Sequence, residues 1–295
     1  MGNYLLYYLF LKPLSLCPFW VLYRVSDTLY YITFYLIKYR KKIVYENLIN
    51  SFPDKSAKEI EVIAKEFYSH FCDLMVESLK FISMKEEELH KRYKVLNKEI
   101  LIPFAEQNKN LIITAGHYAN WEWHAVSLPS HNKNYLVLGI YKPLTNPFFN
   151  KLMFDSRSKT GMKLIAAPEV TSTYKNLTEN NTLHATCIFT DQAPSNPLKC
   201  YWTTFLNQDT PVLFGTEKYA KEFNYAVLFA DIRKVKRGHY TIKYKVLVTE
   251  PQLTKKYEIT EAHTRALEEA IIEEPAYWLW SHKRWKHKRP ENWKP

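Results

Sequence analysis

A histidine and a carboxylate lie five residues apart, directly after a short apolar run. The run 111–115 ends at Gly116, His117 follows it, and Glu122 comes five positions after the histidine. On a continuous helix, residues five apart point about 140° away from each other, so the two side chains can pair only if His117 lies on a strand-to-helix turn. A carboxylate bonded to one imidazole nitrogen raises the basicity of the other. The pattern therefore predicts that His117 is a general base for a hydroxyl group and that Glu122 is its partner.

The spacing alone is a weak signal, because a chain with ten histidines and 30 acidic residues produces it by chance. A zinc site made of His117, Glu122 and His124 is a weaker interpretation still, since no H-E-x-x-H motif is present. We therefore expect no metal.

The composition excludes several common enzyme classes. The 295 residues include six glycines, and these form neither a dinucleotide-binding nor a P-loop motif, nor the elbow of a serine hydrolase. The net charge of +11 indicates an anionic partner, which can be nucleic acid, an acidic protein or phospholipid. The four cysteines have no zinc or disulfide spacing, so we expect them to be free thiols that pack as small apolar side chains.

Helical and strand patterns alternate along the middle of the chain. Residues 55–82 carry apolar side chains at helical spacing, with Ser56 and Glu59 as a capping box. A late helix is predicted over 261–273. Short apolar runs predict strands at 111–114, 135–140, 163–166, 184–190, 211–214, 226–231 and 240–248. Strands separated by helices predict a single α/β domain, with a mixed sheet flanked by helices.

The first 45 residues are rich in Leu, Tyr and Phe but interrupted by charges and prolines. The uncharged runs 13–23 and 28–37 are shorter than the roughly 20 residues that a spanning helix needs. The second run is followed by Arg40, Lys41 and Lys42, which suit anionic headgroups. We expect a membrane-associated helical region over 1–45, either interfacial or re-entrant, and a globular domain over 46–295. A buried helical hairpin is the alternative.

The last twenty residues combine six basic side chains with several tryptophans. Tryptophan among Lys and Arg suits a lipid headgroup layer, and it equally suits a nucleic acid whose bases stack on the rings. The pattern leaves both surfaces open.

Five short motifs follow one another along the chain. They are Asn47-Leu48 with Phe52-Pro53, Gly116-His117 through Glu122, Tyr141-Lys142-Pro143-Leu144 with Asn146-Pro147 and Arg157, Asp191-Gln192, and Trp280-Ser281-His282-Lys283-Arg284-Trp285-Lys286. In this order they resemble the late acyltransferases of lipid A biosynthesis, the lauroyl and myristoyl transferases of Gram-negative envelopes, over nearly the whole chain. The resemblance implies a fold like that of glycerolipid acyltransferases, at the cytoplasmic face of the inner membrane of a Gram-negative bacterium.

The resemblance also implies the reaction and its partners. The acyl donor would be a thioester of acyl carrier protein, and the acceptor a hydroxyl group of a lipid A precursor. Residues 46–295 would form the acyltransferase domain, and the family uses no cofactor or metal. The basic surface agrees with an acidic carrier protein and with a phosphorylated lipid at a phospholipid surface.

Residue roles follow from the same resemblance. His117 would be the general base and Glu122 its partner. Arg157 would hold a phosphate, the pantetheine arm or the developing oxyanion. Asp191 would orient Arg157 or the substrate. Lys142 would be a further substrate-binding residue; it stands where arginine is common, so the contact would lose its bidentate form.

Two other functions stay open from the sequence. The same chemistry could act on another membrane glycolipid, an aminolipid or a phospholipid. A basic nucleic-acid-binding module built on the Trp-rich end is more distant, since no RNP motif, zinc finger or helix-turn-helix is present. We therefore expect no nucleic acid among the partners.

Overall fold

The computed structural model describes residues 2–291 and 293. Met1, at the start of the predicted membrane-associated region, lies outside the described residues. So do Asn292, Lys294 and Pro295, at the end of the predicted globular domain.

A seven-stranded mixed sheet forms the centre of the fold. The strands of the protein are β1 (Tyr93–Val95), β2 (Leu111–Ala115), β3 (Leu136–Tyr141), β4 (Lys163–Ala166), β5 (His184–Phe189), β6 (Tyr201–Phe205), β7 (Gln208–Val212), β8 (Ala226–Lys236) and β9 (His239–Val248). The sheet has the order β1-β9-β8-β2-β5-β3-β4, while β6 and β7 form a separate antiparallel hairpin. Within the sheet, β8 and β9 pair antiparallel and the other neighbours pair parallel.

Helices cover both faces of this sheet. They are α1 (Gly2–Leu6), α2 (Lys12–Leu16), α3 (Phe19–Tyr31), α4 (Lys41–Ser51), α5 (Ala57–Phe81), α6 (Glu86–Arg92), α7 (Ile102–Glu106), α8 (Trp121–His131), α9 (Pro147–Ser158), α10 (Val170–Glu179), α11 (Gly215–Phe223) and α12 (Glu258–Glu273). Two π-helical turns, Tyr7–Leu11 and Ile32–Leu36, continue the amino-terminal helices. Short 3₁₀ turns occupy Lys98–Leu101, Ala167–Glu169, Pro197–Lys199, Pro251–Leu253 and Pro275–Tyr277.

The central strand β2 is buried on both sides, as its unbroken apolar run requires. Leu111 and Ile113 face the larger core, which includes residues of α5, α8 and α12. Ile112 faces the second core, which includes residues of α10 and α11. The predicted α/β fold with a mixed sheet is therefore confirmed.

Most strand predictions are also confirmed, with two differences. The run predicted at 211–214 belongs to β7, in the hairpin rather than in the main sheet. Strands β1 and β6 were not predicted. Strand β1 spans only three residues, too few for a periodic pattern.

Helix α5 shows the predicted capping box, since Ser56 and Glu59 bond reciprocally to each other's backbone N–H. Its expected apolar stripe is less uniform than predicted. Met75 is 46% exposed, whereas the charged Asp73 and Glu77 are buried on the core side. Buried acids on a helix face require hydrogen-bond partners from neighbouring elements.

Glu77 obtains those partners from three different elements. Tyr23 of α3 donates to Oε1 at 3.0 Å, and Tyr240 of β9 donates to Oε2 at 2.8 Å. The side-chain amide of Asn120, which also caps α8, donates to Oε2 at 2.6 Å. This one carboxyl group therefore joins the amino-terminal helices, the sheet and the helix that starts beside His117.

The amino-terminal helices pack on α5. Ser26 of α3 donates to Asp73 at 2.8 Å, and Arg237 donates to the same carboxylate at 2.6 Å. The predicted division of the chain at residue 45 lies inside α4 and stays a prediction.

No single helix within residues 2–291 and 293 has the length and apolar character to cross a membrane. The stretches Gly2–Leu16 and Phe19–Leu36 have them only as a pair, and this pair is bent by 119°.

We predict that Glu77 makes stability fall as pH rises. Burial, followed by the charge of Asp73, raises the pKa of Glu77 from 4.5 to about 7. A raised carboxyl pKa means that the folded state holds the proton more tightly than the unfolded state. The contribution is complete below about pH 4.5 and is lost as pH rises through about 7. At about 1.4 kcal/mol for each pKa unit, the loss is on the order of 3 kcal/mol.

Denaturant unfolding between pH 4.5 and pH 8 measures this effect. The free energy of unfolding of Glu77→Gln should fall less over that range than that of the wild type. Glu46→Gln, at a carboxylate that is more than half exposed, is the matched control and should follow the wild type. Parallel curves for wild type and Glu77→Gln would show that Glu77 does not titrate in this range.

Candidate active site

Two neighbouring strands bring His117 and Asp191 together. Strands β2 and β5 run parallel, and Ala115 lies opposite Phe189 at their carboxyl ends. His117 and Asp191 each follow two residues beyond this last pair. At the turn between β2 and α8, a Cβ atom on Gly116 would lie 2.5 Å from Cδ1 of Leu267. The glycine therefore lets the turn approach α12 closely.

The carboxylate of Asp191 accepts three hydrogen bonds. Nδ1 of His117 lies 2.7 Å from Oδ1, and the backbone N–H of His117 donates to Oδ2 at 2.8 Å. The indole N–H of Trp278 donates to the same Oδ2 at 2.8 Å. Burial alone would raise the pKa of Asp191, but the charge and hydrogen bond of His117, with the bond from Trp278, lower it to about 2. Asp191 is therefore ionised at neutral pH.

The same pair sets the basicity of the imidazole. Burial lowers the pKa of His117, but the charge of Asp191 and its hydrogen bond more than compensate, so the pKa is raised above 6.5. Because a carboxylate only accepts, Nδ1 carries the proton and Nε2 presents its lone pair. The side-chain amide of Gln192 lies 3.1 Å from that Nε2.

Glu122 has a different partner. Asn120 caps α8, which places Glu122 in the first helical turn, and Arg157 lies in the last turn of α9. Arg157 donates through Nε to Oε2 at 3.2 Å and through Nη2 to Oε1 at 2.7 Å. This is a two-pronged ion pair of half-buried side chains.

The predicted pairing of His117 with Glu122 is therefore wrong. Asp191 was predicted to orient either Arg157 or the substrate; Arg157 bonds Glu122 instead, and the contact of Asp191 with the substrate stays a prediction. The physical reason is that adjacent parallel strands place Asp191 at the imidazole, whereas Glu122 is already on the helix and reaches α9. The catalytic and substrate-binding roles of these residues stay predictions.

A cavity of about 560 Å³ opens beside both pairs. Much of its wall is apolar: Ala125, Ile140, Met162, Leu164, Ile188 and Phe189. The polar lining comprises His117, Glu122, Lys142, Arg157 and Gln192. Met162 and Cys187 are buried, whereas Lys142 and Leu144 are exposed, so the cavity runs from an open mouth to an apolar inner end. The ring of Trp121 lines the cavity, but Trp123 is buried in the core.

The carboxy-terminal segment holds the turn between β2 and α8 in place. The backbone N–H of Ala119 donates to the carbonyl of Tyr277 at 2.9 Å, and the N–H of Leu279 donates to the carbonyl of His117 at 3.1 Å. Together with the bond from Trp278 to Asp191, these contacts connect residues 277–279 to both members of the pair. Sequence reasoning missed this role of Trp278.

The prediction that the carboxy-terminal tryptophans face a lipid or a nucleic acid is wrong for Trp278 and Trp280. Trp278 and Trp280 are 2% and 0% exposed, and Arg284 is 2% exposed and donates to the carbonyl of Pro211. These side chains form part of the core. Neither a headgroup layer nor a stacked base can contact Trp278 or Trp280.

Within residues 2–291 and 293, no group of three or more His, Cys, Asp and Glu side chains is arranged to hold a metal ion. The ring of His124, which the zinc interpretation used, is fully buried near Tyr93 and Tyr244. All four cysteines are free.

We predict that Asp191→Asn lowers the pKa of His117, because it removes the negative charge that raises this pKa. The asparagine keeps the shape of the side chain and removes its charge. An NMR titration of the imidazole, assigned with His117→Gln, measures the shift. Asp209→Asn, at a carboxylate that is 55% exposed, is the matched control and should leave the titration unchanged. An unaltered titration in Asp191→Asn would contradict the electrostatic coupling.

Comparison with known proteins gives the family. No curated protein matched the chain. The family model described as bacterial lipid A biosynthesis acyltransferase matches residues 2–287, nearly the whole length of the chain. The resemblance inferred from the five motifs is thereby confirmed. The chain belongs to the bacterial lipid A biosynthesis acyltransferase family.

Proposed function

We propose that this protein transfers an acyl chain from a thioester of acyl carrier protein to a hydroxyl group of a lipid A precursor. Its family supports the reaction class. The observation that carries the proposal is the His117–Asp191 pair, which is at the wall of a largely apolar cavity. A base beside an apolar cavity suits the transfer of a long acyl chain to a hydroxyl group.

His117 is the general base in this mechanism. Its Nε2 removes the proton of the acceptor hydroxyl, and the oxygen attacks the thioester carbonyl carbon. The new C–O bond forms, the C–S bond of the resulting oxyanion breaks, and the imidazolium returns its proton to the thiolate. Asp191 stays ionised, keeps the ring in the required tautomer and stabilises the imidazolium.

Arg157 supplies a positive charge at the wall of the same cavity. Glu122 bonds two of its N–H groups, which orients the guanidinium and leaves further donors for the substrate. Such a donor stabilises the developing oxyanion or binds a phosphate. Glu122 is therefore a positioning residue for Arg157 rather than the partner of His117.

The cavity has one region for each end of the proposed donor, the hydrocarbon chain and the pantetheine arm. The buried Met162 and Cys187 close an inner end that suits the hydrocarbon chain. Lys142, exposed at the mouth, suits the phosphate of the pantetheine arm as a point charge rather than as a two-pronged donor.

Association with a phospholipid surface completes the proposal. Many apolar side chains of residues 4–37 are exposed: Tyr4, Leu5, Leu6, Tyr8, Leu9, Phe10, Leu16, Trp20, Tyr31, Tyr35, Leu36 and Ile37. So many exposed apolar side chains in one segment favour an interaction site there. Lys38, Arg40, Lys41 and Lys42 follow it and suit anionic headgroups of the cytoplasmic leaflet of the inner membrane.

This surface also lies near the cavity. The ring of Tyr4 lies 4.7 Å from that of Phe148, and Asn3 donates to Asn146 at 3.3 Å. Both partners lie at the start of α9, the helix that carries Arg157. A lipid acceptor held at the membrane would therefore reach the site from this side.

We predict that His117→Ala lowers the rate of transfer by about 10²–10⁴-fold, the usual contribution of a general base. Because groups that act as one unit lose activity non-additively, His117→Ala with Asp191→Ala should be little worse than the worse single variant. Glu122→Ala with Arg157→Ala should behave in the same way. Single-turnover transfer to a lipid A precursor, followed by mass spectrometry of the product, measures these rates.

His90→Ala, at a histidine of α6 that does not line the cavity, is the matched control, and thermal melts test the folding of each variant. Near-normal transfer by folded His117→Ala would end this mechanism. If acyl-coenzyme A serves as donor as well as acyl carrier protein does, the enzyme is not specific for the carrier protein. If another lipid hydroxyl is acylated faster, the acceptor is that lipid rather than a lipid A precursor.

We predict that the protein floats with vesicles that contain anionic phospholipid and that high salt alone does not release it. Apolar contact, which salt does not screen, should hold it there. Leu9→Glu with Trp20→Glu should lower the vesicle-bound fraction at least several-fold. Leu253→Glu is the matched control, because Leu253 is 84% exposed on another part of the surface. Equal flotation of both variants would exclude residues 9 and 20 from the contact.

A further inference from the structure

The general base is occupied in this structure. With Nδ1 bonded to Asp191, Nε2 is the ring nitrogen that can take a proton from a substrate. The amide nitrogen of Gln192 lies 3.1 Å from it and donates to its lone pair. A substrate hydroxyl needs the same position, so it and the Gln192 amide compete for one site.

The backbone around Gln192 is fixed, whereas its side chain is exposed at the cavity. Asp191 is held by three donors. The N–H of Ala193 donates to Nε2 of His282 at 2.9 Å, and Nε2 of His287 lies 2.8 Å from the carbonyl oxygen of Pro194. The side chain of Gln192 can therefore rotate away from the imidazole without moving the strand end.

We propose that Gln192 is a removable cap on the general base, which keeps water from Nε2 until an acceptor hydroxyl displaces it. This inference rests on the proposed function. An uncovered Nε2 would remove a proton from water as readily as from an alcohol. The water oxygen would attack the thioester carbonyl, the C–S bond would break, and the thiolate would take the proton from His117. The products would be a free fatty acid and a wasted donor.

The cap also makes His117 less basic. A donor to Nε2 stabilises the neutral ring and so opposes the effect of Asp191. Gln192 thus holds the imidazole in the form that is ready to accept a proton. When the acceptor hydroxyl replaces the amide, it donates to the same lone pair, and the proton transfer can begin.

Two rates test the cap: thiol release from the donor without acceptor, and transfer with saturating acceptor. In Gln192→Ala, hydrolysis without acceptor should rise about 2- to 10-fold, the range that one hydrogen bond is worth. Transfer at saturating acceptor should change little, and the KM for the acceptor should fall. Adding His117→Ala should abolish the extra hydrolysis. Gln208→Ala is the matched control, because that amide bonds Ser51 and does not line the cavity.

Three outcomes would overturn the cap. Unchanged hydrolysis in Gln192→Ala, with active wild type, shows that water already reaches the base. A joint fall of hydrolysis and transfer by about 10²–10³-fold shows instead that the amide stabilises the oxyanion. An unchanged pKa of His117 in Gln192→Ala, by the same NMR titration, excludes the hydrogen bond itself, since its loss should raise that pKa.

The NMR titration of His117 separates failure of the Gln192 cap from failure of the proposed acyl transfer. A wild type that neither transfers nor hydrolyses the acyl group, but whose His117 pKa rises in Gln192→Ala, contradicts the proposed function and still supports the contact of the cap with Nε2.

Discussion

The ionised carboxylate of Asp191 is the group on which the site depends. A buried carboxylate is costly unless hydrogen bonds replace its hydration. Here the donors come from two segments distant in sequence: the turn after β2 and the carboxy-terminal segment. One of these three bonds, from Nδ1 of His117, also orients the ring and, with the charge of Asp191, raises the pKa of the imidazole. Loss of any donor would therefore disturb the local fold and the base together.

The two nitrogen–carboxylate pairs at the cavity have complementary electrostatic roles in the proposed mechanism. Each pair, His117 with Asp191 and Arg157 with Glu122, combines a nitrogen group with a carboxylate. The proposed mechanism starts from a neutral imidazole, so the carboxylate of Asp191 is then the surplus charge of the two pairs. In that mechanism the substrate proton moves to Nε2 and balances this negative charge as the oxyanion forms. Arg157 would then be the cation with N–H groups left to bind the oxyanion.

The sheet was largely predictable, because burial on both faces leaves an unbroken apolar run that can be read directly. The place of His117 on a strand-to-helix turn was predictable too, since it closely follows such a run. Its partner was not. Asp191 is 74 residues away in sequence, and only the pairing of β2 with β5 brings it to the imidazole, whereas Glu122 offered a local alternative. The hydrophobic periodicity of one strand does not predict which strands will be its neighbours in the sheet.

The carboxy-terminal segment misled sequence reasoning for a related reason. Basic residues and tryptophans in alternation are typical of surfaces, yet Trp278 and Trp280 are core residues and only their neighbours reach solvent. The burial of Asp73 and Glu77 on α5 was equally unpredictable from the sequence, because their hydrogen-bond donors come from α3, β9 and other remote elements. Composition does not show which side chains a distant segment will satisfy.

The bond from Trp278 to Asp191 has a consequence for the order in which the protein is made. Translation delivers both strand ends and the base long before residue 278. Until that residue emerges from the ribosome, the carboxylate lacks one of its donors and the turn between β2 and α8 lacks its contacts with residues 277–279. A chain interrupted before this point would contain almost every strand and helix of the fold, but His117 and Asp191 would lack the contacts that hold them. Under the proposed function, truncated translation products would therefore consume little of the acyl donor.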